Sequence, residues 1–175
     1  MATSGLLLGI VLFLLTIGAW LWSRDRREKS GVPAGEVIYA DTGAWFPTSK
    51  PLYAPAYKLT GKPDYLVEQA DGSIVPVEIK SGRAPKEPHE GHVLQLAAYC
   101  LLVAENYQVR PTYGIIQYAD RAYAVDFSEE LEEDLLDLLA EMHEATFAAE
   151  VDRDHNDWAR CHRCGVRSYC DQRLA

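Results

Sequence analysis

Basic residues, cysteine and methionine are all scarce in this chain: 175 residues hold 17 Lys and Arg against 26 Asp and Glu, four Cys and two Met. The net charge of −9 at first excludes a uniformly basic nucleic-acid binder. Four unevenly placed cysteines exclude a disulfide framework. No Lys or Arg occurs in Met1 to Ser4, and no small-residue cleavage pair follows the first apolar run, which argues against a cleaved signal peptide. Internal repeats are absent. No histidine precedes His89 and no cysteine precedes Cys100. With 48% apolar and 25% charged residues, disorder is excluded too, and the length suits one domain with a real core.

The acidity is local. Glu129 to Asp154 contains eleven acids and one base, leaving sixteen bases and fifteen acids elsewhere, so a basic track remains open to the rest of the surface. At the other end, Gly5 to Trp22 (GLLLGIVLFLLTIGAWLW) has no charge over eighteen residues. As a helix it is about 27 Å long, close to the hydrocarbon thickness of a bilayer. Trp20 and Trp22 stand where an interfacial belt would, followed by Arg24, Arg26 and Arg27. We therefore expect a single-pass cell-membrane anchor in residues 1–22, a juxtamembrane linker in 23–35, and a cytoplasmic domain in 36–175.

Within that domain the pattern reads β-β-β-α-β-β-α. Glu36 to Ala40 is a short strand. Asp64 to Glu68 and Ser73 to Lys80 form a hairpin around Asp71-Gly72, with Pro76 suggesting an edge or a bulge. His92 to Asn106 is a buried helix. Tyr113 to Tyr118 and Ala122 to Phe127 pair across Ala119 to Arg121. Asp126 or Ser128 caps a long helix with Leu131, Leu135, Leu138, Leu139 and Met142 on one face and a solvated acidic face opposite.

The chemistry concentrates in the hairpin. Alternation along the second strand puts Glu78 and Lys80 on one face, and the hairpin brings Asp64 against them. Two carboxylates in one small site repel unless a divalent cation lies between them, while a lysine ammonium can hold water or phosphate charge. A surface strand pair with a salt bridge is the plainer explanation of Asp…Glu-x-Lys taken alone. At the C-terminus, Cys161, Cys164 and Cys170 (C-x2-C-x5-C) read as thiolate metal ligands in a reducing compartment, with Arg153, Arg160, Arg163, Arg167 and Arg173 interleaved. Those arginines fit phosphate contacts and an ordinary solvated tail equally.

The wider set, Gly61-Lys62-Pro63-Asp64, Pro76-Val77-Glu78-Ile79-Lys80-Ser81-Gly82 and Gln95-x-x-x-Tyr99, resembles the RecB-like branch of the PD-(D/E)XK nuclease superfamily. The likeness is to the CRISPR-associated Cas-four exonucleases and the nuclease domain of Dna-two helicases, from about Lys58 to Arg173. It implies an α/β restriction-endonuclease-like core with a mixed sheet flanked by helices. It implies Mg²⁺ or Mn²⁺ held by Asp64, Glu78 and the Ile79 carbonyl, Lys80 as the catalytic lysine, and Gln95 and Tyr99 facing the active site and DNA. The three terminal cysteines look like part of that family's iron–sulfur staple, here a 4Fe–4S cluster with a non-cysteine or open fourth site. Zinc with His155 or His162 is the runner-up.

The family's N-terminal lobe, with a fourth cluster cysteine and a metal-binding histidine, has no counterpart here; Asp41 or Glu36 stands in a position to replace the histidine. Cys100 follows Tyr99 and so falls on the core-facing stripe with Val93, Leu96 and Ala97, not among the ligands. The expected activity is a metal-dependent, membrane-anchored deoxyribonuclease, an exonuclease acting on single-stranded DNA or free ends. The alternative is a degenerate domain that binds nucleic acid or a partner at the membrane without cutting.

Overall fold

The computed structural model describes residues 13, 15–17, 36–40 and 50–174, which fall into two compact units, Met1–Leu136 and Asp137–Ala175. Most of the expected anchor, the linker and Asp41 lie outside the described residues. Phe13 and Leu15 to Ile17 are helical, and Phe13 and Leu15 are exposed. Among the described residues no helix is long and apolar enough to cross a membrane.

The first unit is built on a mixed sheet. Its strands are β1 (Glu36–Ala40), β4 (Tyr65–Glu68), β5 (Ile74–Ile79), β6 (Tyr113–Gln117) and β7 (Ala122–Asp126), side by side in that order. Only β5 and β6 are parallel, which requires a crossover, and α1 (Glu90–Tyr107) supplies it. The expected α/β core is therefore present. A separate antiparallel pair, β2 (Leu52–Ala54) and β3 (Leu59–Gly61), went unread in the sequence. Strands of three residues carry too little alternation to register, and Pro51 and Pro55 look like loop; a 3-10 turn over Pro55–Tyr57, ending at Lys58 with φ 47°, reverses the chain between them.

Alternation sorts the sheet's side chains onto two faces. Leu66 and Ile74 pack with Leu52, Ala54 and the α1 residues Tyr99, Leu102 and Val103. Val67, Val75, Val77 and Ile115 cluster on the other face. Fully burying one such side chain contributes roughly 1.5–3 kcal/mol, so β4 and β5 are held from both sides. Gly61 lets β3 close on α1: a Cβ there would lie 2.8 Å from Leu102 Cδ1 and 3.0 Å from Tyr99 Cε1.

The β4–β5 hairpin turns through Gly72 at φ +81°, a left-handed conformation suited to glycine. Asp71 Oδ1 accepts from the Ser73 amide (2.9 Å) and hydroxyl (2.6 Å), fixing the turn. The expectation that Pro76 marks an edge is corrected, because β5 lies at the centre of the sheet. Pro76 is opposite Leu66 on the β4 side, and the parallel ladder with β6 starts one residue later, at Val77. The missing amide thus falls before that ladder begins.

Ser128 caps α2 (Glu129–Phe147), its Oγ accepting from the Leu131 amide at 3.1 Å. Glu129, Glu130 and Glu132 fill the first turn, where the helix dipole favours negative charge. The apolar face is shorter than expected: Leu135 and Leu139 are buried, whereas Met142 is 57% exposed.

The second unit contains the rest of α2, a short α3 (Trp158–Arg163) and a 3-10 turn over Arg167–Tyr169. Asp157 caps α3 by accepting from the Ala159 amide at 2.8 Å. Arg153 is tied into the unit through the Gln172 and His155 carbonyls and Asn156 Oδ1, while its amide donates to Gln172 Oε1.

Candidate active site

Asp64 sits immediately before β4, and its Oδ2 accepts from the Ile79 amide at 2.7 Å. That bond spans the open ends of both hairpin strands and brings the Asp64 carboxylate beside Glu78. Glu78 is buried on the α1 side of β5. Lys80 follows past the end of the strand, its amide donating to the Gln117 carbonyl at 2.7 Å and so extending the alignment with β6.

The side chains interlock. Lys80 Nζ donates to Glu78 Oε1 at 2.8 Å and to Gln95 Oε1 at 2.8 Å. Gln95 Nε2 donates to Glu78 Oε1 at 3.0 Å and to the Tyr99 hydroxyl at 2.8 Å. Gln95 and Tyr99, one turn apart on α1, therefore face the carboxylate and the ammonium together. The structure brings Asp64, Glu78, Lys80, Gln95 and Tyr99 into one site; the Ile79 backbone lies within it, although the visible bond uses its amide and not its carbonyl.

Burial pushes the Glu78 carboxyl above the usual glutamate range; Lys80 pulls it down and the neighbouring Asp64 charge adds to the rise. Burial likewise raises the Tyr99 phenol, with Gln95 opposing and the charges of Glu78 and Asp64 reinforcing. A buried carboxylate held above its ordinary pKa beside a second carboxylate is a donor pair that a divalent cation would relieve. This hard oxygen set fits Mg²⁺ or Mn²⁺. Among the described residues no group of three or more His, Cys, Asp or Glu is placed to hold a metal ion.

Glu36 is not a third ligand. Register pairs it with Glu68, at the far end of β4 from Asp64, whereas Ala40 pairs with Tyr65. The intervening strand places the Glu36 backbone about 13 Å from the Asp64 end.

His92 was missed. It lies three residues before Gln95 on α1, and its Nδ1 is 2.7 Å from the Tyr118 hydroxyl. Burial, then the positive charges of Lys80 and His89, hold it below the usual histidine range. The i, i+3, i+7 spacing of His92, Gln95 and Tyr99 was the available signal.

The cysteines behave in two ways. Cys100 is buried in the first unit, and burial pushes its thiol up to about 12. Cys161, Cys164 and Cys170 line one cavity of about 620 Å³ in the second unit, with Met142 and His155 also on its wall. That placement gives Met142 a neighbour the leucine-stripe reading lacked. The three thiols are the right donors for a cluster or zinc and share a cavity, yet they are not gathered into a ligating group.

A family model for the PD-(D/E)XK nuclease superfamily matches residues 12–171. The CRISPR-associated exonuclease Cas4 of Francisella tularensis subsp. novicida (strain U112) is 30% identical over 122 residues, covering 67% of this chain and 58% of that protein. The chain thus spans a little over half the length of this curated relative. The crystal structure of SSO0001 superposes with a TM-score of 0.50 at 21% identity, covering 72% of this chain and 58% of that one, a likeness of fold. With the family match running over nearly the whole sequence, the chain belongs to the PD-(D/E)XK nuclease superfamily.

Proposed function

We propose that the chain is a metal-dependent deoxyribonuclease, a Cas-four-like exonuclease hydrolysing phosphodiester bonds in single-stranded DNA or at free DNA ends. The observation that supports this reading is the hydrogen-bonded set Lys80–Glu78–Gln95–Tyr99 beside Asp64. A bound Mg²⁺ or Mn²⁺ supplies Lewis acidity toward the phosphate. Asp64 and Glu78 would bind it, with the Ile79 carbonyl as the backbone ligand. Gln95 fixes the Lys80 ammonium, which then aligns the attacking water and holds charge developing on the phosphate. Tyr99 orients Gln95 and closes the site from the helix side.

The test is cleavage of labelled single- and double-stranded DNA by the full chain in detergent, with Mn²⁺ and with chelator. Metal-dependent shortening from one end supports the exonuclease; no cleavage of any DNA form leaves the degenerate nucleic-acid- or partner-binding domain. Two further readings belong to the same proposal. Cys161, Cys164 and Cys170 bind a 4Fe–4S cluster, for which anaerobic purification should give iron and sulfide; stoichiometric zinc without sulfide overturns it. Residues 5–22 anchor the domain to the cell membrane with the domain in the cytoplasm, so a reporter fused after Ala175 should be active on the cytoplasmic side alone.

A further inference from the structure

Charge reverses abruptly within the second unit and its helix. Glu129 to Asp157 holds twelve acids and one arginine, whereas Trp158 to Arg173 holds four arginines and one acid, Asp171. Arg153 is consumed by structural hydrogen bonds. Arg160, Arg163, Arg167 and Arg173 are not: among the described residues none of these four side chains has a hydrogen-bond or ion-pair partner.

Two of these arginines converge. Arg167 and Arg173 line a cleft of about 530 Å³ with Cys164, Gly165 and Ser168, with no carboxylate on its wall among the described residues; both also border the cysteine cavity, where Glu141, Asp152, Asp154 and Asp171 stand. The Arg167 Nε is buried without any hydrogen-bond partner. A buried, unsatisfied donor on a charged group is costly, and an anion offering an acceptor oxygen removes that cost. Tyr169, next in sequence to Ser168, is 91% exposed, and on α3 Trp158 is 52% exposed with its ring tilted against His162 at 4.9 Å between centroids. Exposed aromatic faces interleaved with unpaired guanidinium groups match a strand with both phosphates and unstacked bases.

We propose that this cleft binds a backbone phosphate of single-stranded DNA through Arg167, Arg173 and Ser168, with Tyr169 and Trp158 as stacking faces for its bases. The cleft belongs to the second unit and the carboxylates that would cut belong to the first, and its assignment to the substrate rests on the nuclease reading.

The experiment measures anisotropy of a fluorescein-labelled single-stranded oligonucleotide with the full chain in detergent, under chelator, across a salt series. Arg167→Gln with Arg173→Gln should weaken binding about tenfold and flatten the log–log salt dependence by about 0.7, the slope for one lost phosphate contact on a single strand. Tyr169→Ala should weaken binding at least about fivefold. The double Arg→Lys variant, which keeps the charge, should restore most of the salt slope and guards against misfolding as the cause. Unchanged affinity and slope in the Gln double variant would overturn the site. So would loss of binding to phosphatidylglycerol vesicles with oligonucleotide binding intact, the result expected of a membrane phosphate site. Cleavage with Mn²⁺ is scored separately. A chain that never cuts but needs Arg167 and Arg173 to bind retains the site and loses the nuclease reading; one that cuts normally with both substituted does the reverse.

Discussion

The hairpin site and the cysteine unit hold comparable numbers of reactive side chains, but only the first has them engaged with one another. Around Glu78 both amide donors of Gln95 and two of the three Lys80 ammonium donors have acceptors within 3.0 Å. In the cysteine unit the thiols share a cavity without forming a ligating group, and a buried guanidinium nitrogen is left unsatisfied. The physical difference is the scaffold. Glu78 hangs from a central strand laddered on both sides and roofed by α1, and Lys80 just past its end is tied to the Gln117 carbonyl, so backbone bonds fix them before any ligand arrives. The cysteines hang from a short helix and turns, where a bound metal or anion would do the gathering.

Substitutions in the hairpin should therefore strike chemistry, and those in the tail should strike folding of a unit. The largest effect is expected from Glu78→Gln or Asp64→Asn, each removing a ligand charge: single-turnover cleavage with Mn²⁺ should fall by on the order of a thousandfold or more. Lys80→Ala should cut the rate about 10²–10³-fold while isothermal titration still shows the divalent ion binding. Equal loss of metal binding would make Lys80 a structural partner of Glu78 instead.

Next in size is the contrast between cysteines. If the proposed cluster is held there, Cys161→Ser should remove it and expose residues after Asp137 to limited proteolysis, with the first unit still protected. Cys100→Ser should keep the metal and lower stability by about 1–3 kcal/mol through an unpartnered buried hydroxyl, read as a shifted urea midpoint. Gly61→Ala pushes a methyl into Leu102 and Tyr99, and should cost about 1–3 kcal/mol while raising KM or lowering kcat through a displaced Tyr99.

The smallest effect is electrostatic. Because the folded pKa of Glu78 is raised, its favourable contribution is present when it is protonated and is lost as pH rises through that pKa. Metal-free Glu78→Gln protein should thus gain in relative stability over the unsubstituted chain as pH rises from the ordinary glutamate range through the raised pKa of Glu78, and Mg²⁺ should narrow the gap. A gap independent of pH would show that Glu78 ionises without penalty.

Much of the first region was legible because it is local. Asp71-Gly72 specifies a turn, alternation puts Glu78 and Lys80 on one face, and helical spacing joins Gln95 to Tyr99. The order of strands in the sheet was not local: Pro76 argued for an edge, and only pairing with β6 starting at Val77 resolves how a proline occupies a central strand. Helix periodicity likewise grouped Met142 with the leucines, although a helix pattern does not say where its covering partner ends. The three-residue strands of β2 and β3 exist because α1 covers them, not because their own sequence favours extension.

By itself the sequence determined the residue types, their spacing and the hairpin, all set by backbone and side-chain geometry within a few positions. The tertiary structure alone decided that Asp64 reaches across to the Ile79 amide, that Glu36 lies at the wrong end of its strand, and that His92 meets the Tyr118 hydroxyl. It also decided which arginines are spent on structure and which remain unpaired, since pairing depends on partners brought close by folding and not by the order of the chain.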